Sequence, residues 1–137
     1  MAERHGRCAC GAVTFTAEIP GDHVSACHCT TCRRINGGPF IVATGHGLTY
    51  AEGAPVGAYD SSEWADRTFC TRCGTSLAYR LKGQDMAFIA AYTFEPPLDL
   101  PLTDEVFIDE KPADYAFAGD TQTMTSAEVF ALFQGQG

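Results

Sequence analysis

Seven cysteines fall into three groups, Cys8-x-Cys10, Cys27-x-Cys29-x-x-Cys32 and Cys70-x-x-Cys73. Thiolate sulfur is a soft ligand, and a close pair on a tight turn presents two corners of a zinc tetrahedron whose ligands lie about 2.3 Å from the metal. Gly11 follows Cys10 and Gly74 follows Cys73, so the two outer groups are built alike, each with a residue that relieves backbone strain. Two such turns, far apart in sequence, make a closed four-thiolate structural site from Cys8, Cys10, Cys70 and Cys73. It staples the N-terminal region to the middle of the chain. Cys27, Cys29 and Cys32 remain. Three protein ligands with a fourth position open is the composition of a catalytic zinc site. Spacing alone also permits the middle group to share ligands with either pair. A thioredoxin-type redox reading of Cys70-x-x-Cys73 lacks the βαβ context and leaves five cysteines unexplained.

Two Zn²⁺ ions, one per site, are therefore expected, and the open one sets the chemistry. Zinc on three thiolates keeps a single net negative charge, which blunts it as a Lewis acid, and its soft environment favours another thiol as fourth ligand. Coordination deprotonates such a thiol at neutral pH. With an aldehyde carbonyl nearby, the expected reaction is carbon–sulfur bond formation. Arg33 follows the last ligand, where it can pair with a substrate carboxylate, stabilise an aldehyde oxyanion, or neutralise the thiolate-rich centre. His28 stands between two ligands; in an extended segment its side chain points away from theirs, and local bonding to backbone is the expectation rather than a ligand or shuttle role. Arg67 is expected to pack beside the Cys70 turn. Phe40, Tyr59 and Trp64 are core aromatics on this reading, with a pocket wall as the other possibility.

Short strands must position these groups. Val13, Phe15 and Ala17 alternate with Thr14, Thr16 and Glu18, the period of a half-buried strand. Further strands are expected at 23–27, 40–44, 48–50, 56–59, through Leu77, Tyr79 and Leu81, at 86–92 and at 106–108. Pro20-Gly21-Asp22 and Asn36-Gly37-Gly38-Pro39 break the chain between them. Thr125-Ser126-Ala127-Glu128 is a capping box, behind which Val129, Leu132 and Phe133 share a helical face. The expected fold is a mainly β domain of twisted antiparallel sheets with one short C-terminal helix, a single unit over residues 1–137.

Composition bounds the function. With 45% hydrophobic and 19% charged residues, the chain of 137 residues is globular and long enough for a real core. A formal net charge of −8, with Arg33-Arg34 the densest basic cluster, argues against nucleic-acid binding. No apolar run approaches the ~20 residues of a membrane span. The charged start, Met1 to Cys8, has no apolar core, so no secretory signal and a cytoplasmic location are expected. The odd cysteine count in a reducing compartment argues against a disulfide framework.

Gly6-x-Cys8-x-Cys10-Gly11-x-Val13-x-Phe15, Cys27-His28-Cys29-x-x-Cys32-Arg33 and Arg67-x-Phe69-Cys70-x-x-Cys73-Gly74 together resemble the glutathione-dependent formaldehyde-activating enzyme family, which includes the centromere protein V relatives. The match runs from Gly6 to about Leu77 and loosens beyond Met86, where Glu105 and Tyr115 stand at positions the family often gives to His and Trp. The resemblance implies a zinc-pinned β-tent fold. It assigns Cys8, Cys10, Cys70 and Cys73 to structural zinc and Cys27, Cys29 and Cys32 to catalytic zinc. It also implies a carbon–sulfur lyase that interconverts glutathione and formaldehyde with S-hydroxymethylglutathione. The other functional class is a zinc-stabilised binding or scaffold module without chemistry.

Overall fold

In the computed structural model, residues 3–134 are described; the first two and last three residues of the domain expected over 1–137 lie outside them. Strand β1 (Glu3–Arg7) pairs antiparallel with β2 (Thr14–Glu18), and the first cysteine turn joins them. Val13, Phe15 and Ala17 are buried as their alternation predicts, and Phe15 meets Tyr50 and Phe94 edge-on at centroid distances of 6.1 and 5.4 Å. Strand β3 (Val24–Cys27) then delivers Cys27 to helix α1 (Thr30–Asn36). This helix was not expected. The sequence around His28 reads as extended, but the chain turns helical two residues later, with Cys29 as the N-cap.

Strand β4 (Phe40–Tyr50) runs 11 residues and unites the two strands expected at 40–44 and 48–50. Its first half pairs with β3 and its second with β2, so it belongs to both parts of the sheet system. Gly45 sits where it passes from one to the other. A Cβ there would lie 2.8 Å from Ile89 Cδ1 and 3.0 Å from Ile19 Cδ1, so a side chain at the crossing would push both isoleucine ends aside. Strands β5 (Val56–Tyr59), β6 (Ala65–Cys70), β7 (Ser76–Leu81) and β8 (Ala87–Ala90) follow as an antiparallel meander that returns to β4.

Beyond the proline-rich loop the expected strand at 106–108 is displaced. Strand β9 (Leu102–Val106) stops where Phe107 turns left-handed at φ 57°, and a second short strand, β10 (Gln122–Met124), follows. The sheet order is β10-β9-β3-β4-β8-β7-β6-β5. Two of its pairings, β3 with β9 and β9 with β10, are parallel rather than antiparallel, because both partners are reached by long connections and not by hairpins. The architecture is mainly β, as expected, and closes on helix α2 (Ser126–Gln134). Its capping box forms both ways: Thr125 N–H donates to Glu128 Oε1 at 2.9 Å, and Glu128 N–H to Thr125 Oγ1 at 3.2 Å. Only Val129 of the expected apolar face is buried; Leu132 and Phe133 are exposed.

The main core gathers Val13, Phe15, Ile19, Val24, Leu77, Ile89 and Phe94. Each fully buried aliphatic, such as Leu77 or Ile89, contributes about 1.5–3 kcal/mol. A smaller core of Cys32, Phe40 and Val42 extends through Tyr79, Phe88 and Ala90 beside Cys27 and Cys29. No helix among the described residues is long and apolar enough to cross a membrane.

Candidate functional site

The fold assembles the cysteines into two clusters, Cys8 with Cys10, Cys70 and Cys73, and Cys27 with Cys29 and Cys32, each with its sulfurs within 4.8 Å of one another. All seven are free thiols. Of the sortings that spacing left open, the one in which the middle group stands alone is therefore the arrangement in space.

The first cluster joins two turns of the same design. Cys8 N–H donates to Val13 C=O and Gly11 N–H to Cys8 C=O; Cys70 N–H donates to Thr75 C=O and Gly74 N–H to Cys70 C=O. Gly11 and Gly74 take φ of 80° and 81°, which is why each turn closes on glycine. The separations Cys8–Cys10 and Cys10–Cys70 are 3.6 and 3.8 Å. Thiolates at the corners of a zinc tetrahedron lie about 3.8 Å apart, so the donor set fits that ion. Backbone N–H groups already point at the sulfurs: Val13 at Cys8, and Arg72 and Cys73 at Cys70, at 3.3–3.4 Å. The Cys8 thiol is lowered: burial opposes ionisation, but the Val13 bond, Cys10 and Cys70 outweigh it. The Cys73 thiol is held down to about 5, first by the Thr75 hydroxyl.

In the second cluster Cys27 ends β3, Cys29 caps α1 by accepting from Cys32 N–H at 3.3 Å, and Cys32 is buried in its first turn. Three crowded sulfurs cannot all ionise unaided. Cys29 is lowered to about 2 by hydrogen bonding first from Cys27 and then from Cys32, whereas Cys27 is pushed up, first by Cys29 and then by Cys32. A soft dication resolves that conflict, so this donor set also fits zinc, with three corners filled.

The surrounding residues differ from expectation. Arg33 is half-buried and turned back on its own loop; Nε donates to His28 C=O at 3.2 Å and Nη2 to Thr30 Oγ1 at 3.3 Å. The arginine that touches the cluster is Arg67, read from sequence as packing on the Cys70 turn; its Nη1 donates to Cys32 Sγ at 3.4 Å. Burial opposes its charge, but the Cys32 thiol leads the groups that raise its pKa. Phe40 is buried against Cys32, while Tyr59 and Trp64 are exposed; Trp64 Nε1–H reaches Tyr79 Oη at 3.2 Å.

His28 is not bonded locally by its ring. It is fully buried and its Nε2 lies 2.7 Å from Glu105 Oε1, with Tyr115 Oη 3.2 Å from Nδ1. Thr121 Oγ1 donates to the other Glu105 oxygen. Glu110 Oε1 accepts both N–H and hydroxyl of Thr30 at 2.9 Å, fixing the start of α1. The C-terminal third thus braces the Cys27–Cys32 segment. Glu105 and Tyr115, singled out as departures from the family pattern, are the two groups that hold His28. With 77 and 87 residues between partners, no local signal marks either contact.

Two surface cavities, about 410 and 260 Å³, lie elsewhere. One is bounded by Arg7, Phe15, Tyr50 and Glu95, the other by Asp66, Arg80 and Asp85, and no cysteine lines either. The chemistry-bearing groups sit instead on α1 and the strand ends.

Comparison with known proteins gives three findings. The family model described as glutathione-dependent formaldehyde-activating enzyme matches residues 3–110. A Schizosaccharomyces pombe protein named as an uncharacterized lyase is 37% identical over 131 residues, covering 94% of this chain and 96% of its own. A solved Rhodobacter sphaeroides structure aligns with a TM-score of 0.59 at 26% identity, covering 72% of this chain and 99% of that one.

Proposed function

The chain belongs to the glutathione-dependent formaldehyde-activating enzyme family and is a lyase, and on that footing we propose that it makes and breaks the carbon–sulfur bond between a small thiol and a small aldehyde at Cys27, Cys29 and Cys32. Glutathione and formaldehyde are the pair the family points to. Cys8, Cys10, Cys70 and Cys73 hold a structural zinc on this reading, and the other three an open one.

The observation that carries the proposal is the convergence of three sulfurs, supplied by six consecutive residues, beside a buried arginine. A zinc ion held there supplies a position at which a small thiol loses its proton at neutral pH. The protein's own residues do the rest. Cys29, as helix cap, fixes the angle of the site, and Glu105 and Tyr115 hold His28 so that Cys27 and Cys29 keep their separation. Arg33 spends two donors on its loop, and its remaining N–H groups serve a substrate carboxylate or the aldehyde oxygen. In the forward direction the thiol sulfur bonds to the carbonyl carbon, and the thiol proton ends on the carbonyl oxygen. Cleavage reverses both transfers.

Thiols add to formaldehyde without help, so an acceleration of about 10²–10⁴-fold is expected from positioning and proton assistance. Exchange NMR on an equilibrium mixture of glutathione, formaldehyde and adduct, with and without protein, reads it directly. Cys29→Ser should keep the fold, lose one metal and fall toward background, and Arg33→Ala should slow exchange. Wild-type protein no faster than its metal-free form, with glutathione or any other small thiol, would end the thiol–aldehyde reading.

A further inference from the structure

Among the described residues, the charge of Arg67 meets only the three-cysteine cluster and the face of the Tyr79 ring. It lies on β6, is 7% exposed, and among the described residues pairs with no carboxylate; the charges that act on it are those of the cysteines. Its guanidinium carbon sits 5.0 Å from the centroid of the Tyr79 ring, Nη1 reaches Cys32 Sγ at 3.4 Å, and Nε is buried without a partner. The Tyr79 hydroxyl, the nearest polar group on that ring, is engaged with Trp64. A buried cation of this kind is retained only where a fixed negative charge faces it. Three thiolates and one dication leave a single negative charge. A fourth, anionic sulfur would double it in a half-buried place, and the guanidinium brings the total back to one.

We infer that Arg67 determines specificity at the three-cysteine centre: it is the cation that lets the centre accept an anionic thiolate in its open position in preference to a neutral ligand. This rests on the open-site reading above. Arg33 is a weaker candidate, because its bonds run to the His28 carbonyl and the Thr30 hydroxyl and, among the described residues, none reaches a sulfur. The orphaned Nε–H, on the same rigid plane as Nη1, is a further donor in the same setting.

The test uses fully metallated protein with Co²⁺ in the open site, whose sulfur-to-metal charge-transfer band counts thiolate ligands. Glutathione and 2-mercaptoethanol are titrated as anionic ligands and imidazole as the neutral one, against wild type, Arg67→Met and Arg67→Lys. Loss of one charge-assisted contact corresponds to a thiol affinity about 10- to 100-fold weaker in Arg67→Met, with imidazole affinity within about threefold of wild type and metal content unchanged. Arg67→Lys should keep the preference for thiol over imidazole. Equal thiol affinity in wild type and Arg67→Met, or parallel loss of thiol and imidazole, overturns the inference while leaving the open-site reading intact. A wild-type protein that takes no thiol overturns both. Should Arg67→Met fail to hold its metals, Arg67→Lys decides, and a tenfold loss of its preference for thiol refutes the role of charge.

Discussion

Removing the carboxylate of Glu105 should strand a polar ring inside the protein. His28 is 0% and Glu105 6% exposed, and the 2.7 Å bond between them is the shorter of the ring's two contacts. In Glu105→Leu, Nε2 keeps no partner while water stays excluded. Leaving a buried polar group without its partner costs about 1–3 kcal/mol, and the upper figure suits a ring this fully buried that loses a carboxylate partner. Glu105→Gln keeps the shape and an acceptor oxygen, so its loss is about 1 kcal/mol. At roughly 4 °C of melting temperature per kcal/mol for a domain of this size, the two variants should melt about 12 and 4 °C below wild type. Calorimetry on metal-loaded protein measures both.

The pH dependence carries a sign. Burial alone would raise the Glu105 carboxyl, but the bonds from Thr121 and His28 outweigh it and hold it below its ordinary value of 4.5. A carboxyl depressed by folding contributes stability that is full above about pH 4.5 and is lost as pH falls through the folded value. Over the pH range in which both proteins keep their metals, the gap between wild type and Glu105→Gln should therefore narrow as pH is lowered below about 4.5. A leucine variant melting within about 3 °C of wild type would refute the reasoning. So would a gap that widens on acidification.

The two cysteine clusters should respond differently to loss of a ligand. Cys70→Ser opens a site that ties residues 8 and 70 together, and it should give molten protein with less zinc by circular dichroism and elemental analysis; a cooperative fold at the wild-type melting temperature would contradict the structural assignment. Leu77→Ala, at a fully buried position of β7, should cost about 2–5 kcal/mol in urea unfolding. A cost under about 1 kcal/mol would mean that this part of the core is looser than its burial indicates.

The parts of the fold visible in sequence are those with a local signal: apolar alternation or an apolar run for β2, β3, β5, β7 and β8, glycine-backed cysteine turns at Cys8 and Cys70, and the capping box of α2. What escaped has physical reasons. In β6, four of six residues are buried, and they include Arg67 and Thr68, so the strand shows no apolar alternation. In β1 every residue is polar or glycine. Helix α1 has seven residues and is capped by a cysteine rather than Ser, Thr, Asp or Asn, which hides both its period and its start. The cysteine groups were legible because metal-ligand spacing is local. The environment of the second cluster was not, because Arg67, Glu105 and Tyr115 arrive from 35 to 87 residues away.

The two clusters also differ in when they can exist. During synthesis the Cys27–Cys32 set is complete as soon as six consecutive residues have left the ribosome. Cys8 and Cys10 must wait until Cys73 has emerged and β6 has found its partners. For that interval five thiols crowd the first 32 residues with no sheet to sort them. A metal ion arriving early meets a nascent chain free to bind it through a mixture of the two sets. On the two-metal reading, the order in which ions are delivered, and not only their affinity, then bears on how much of the newly made protein carries one ion in each cluster.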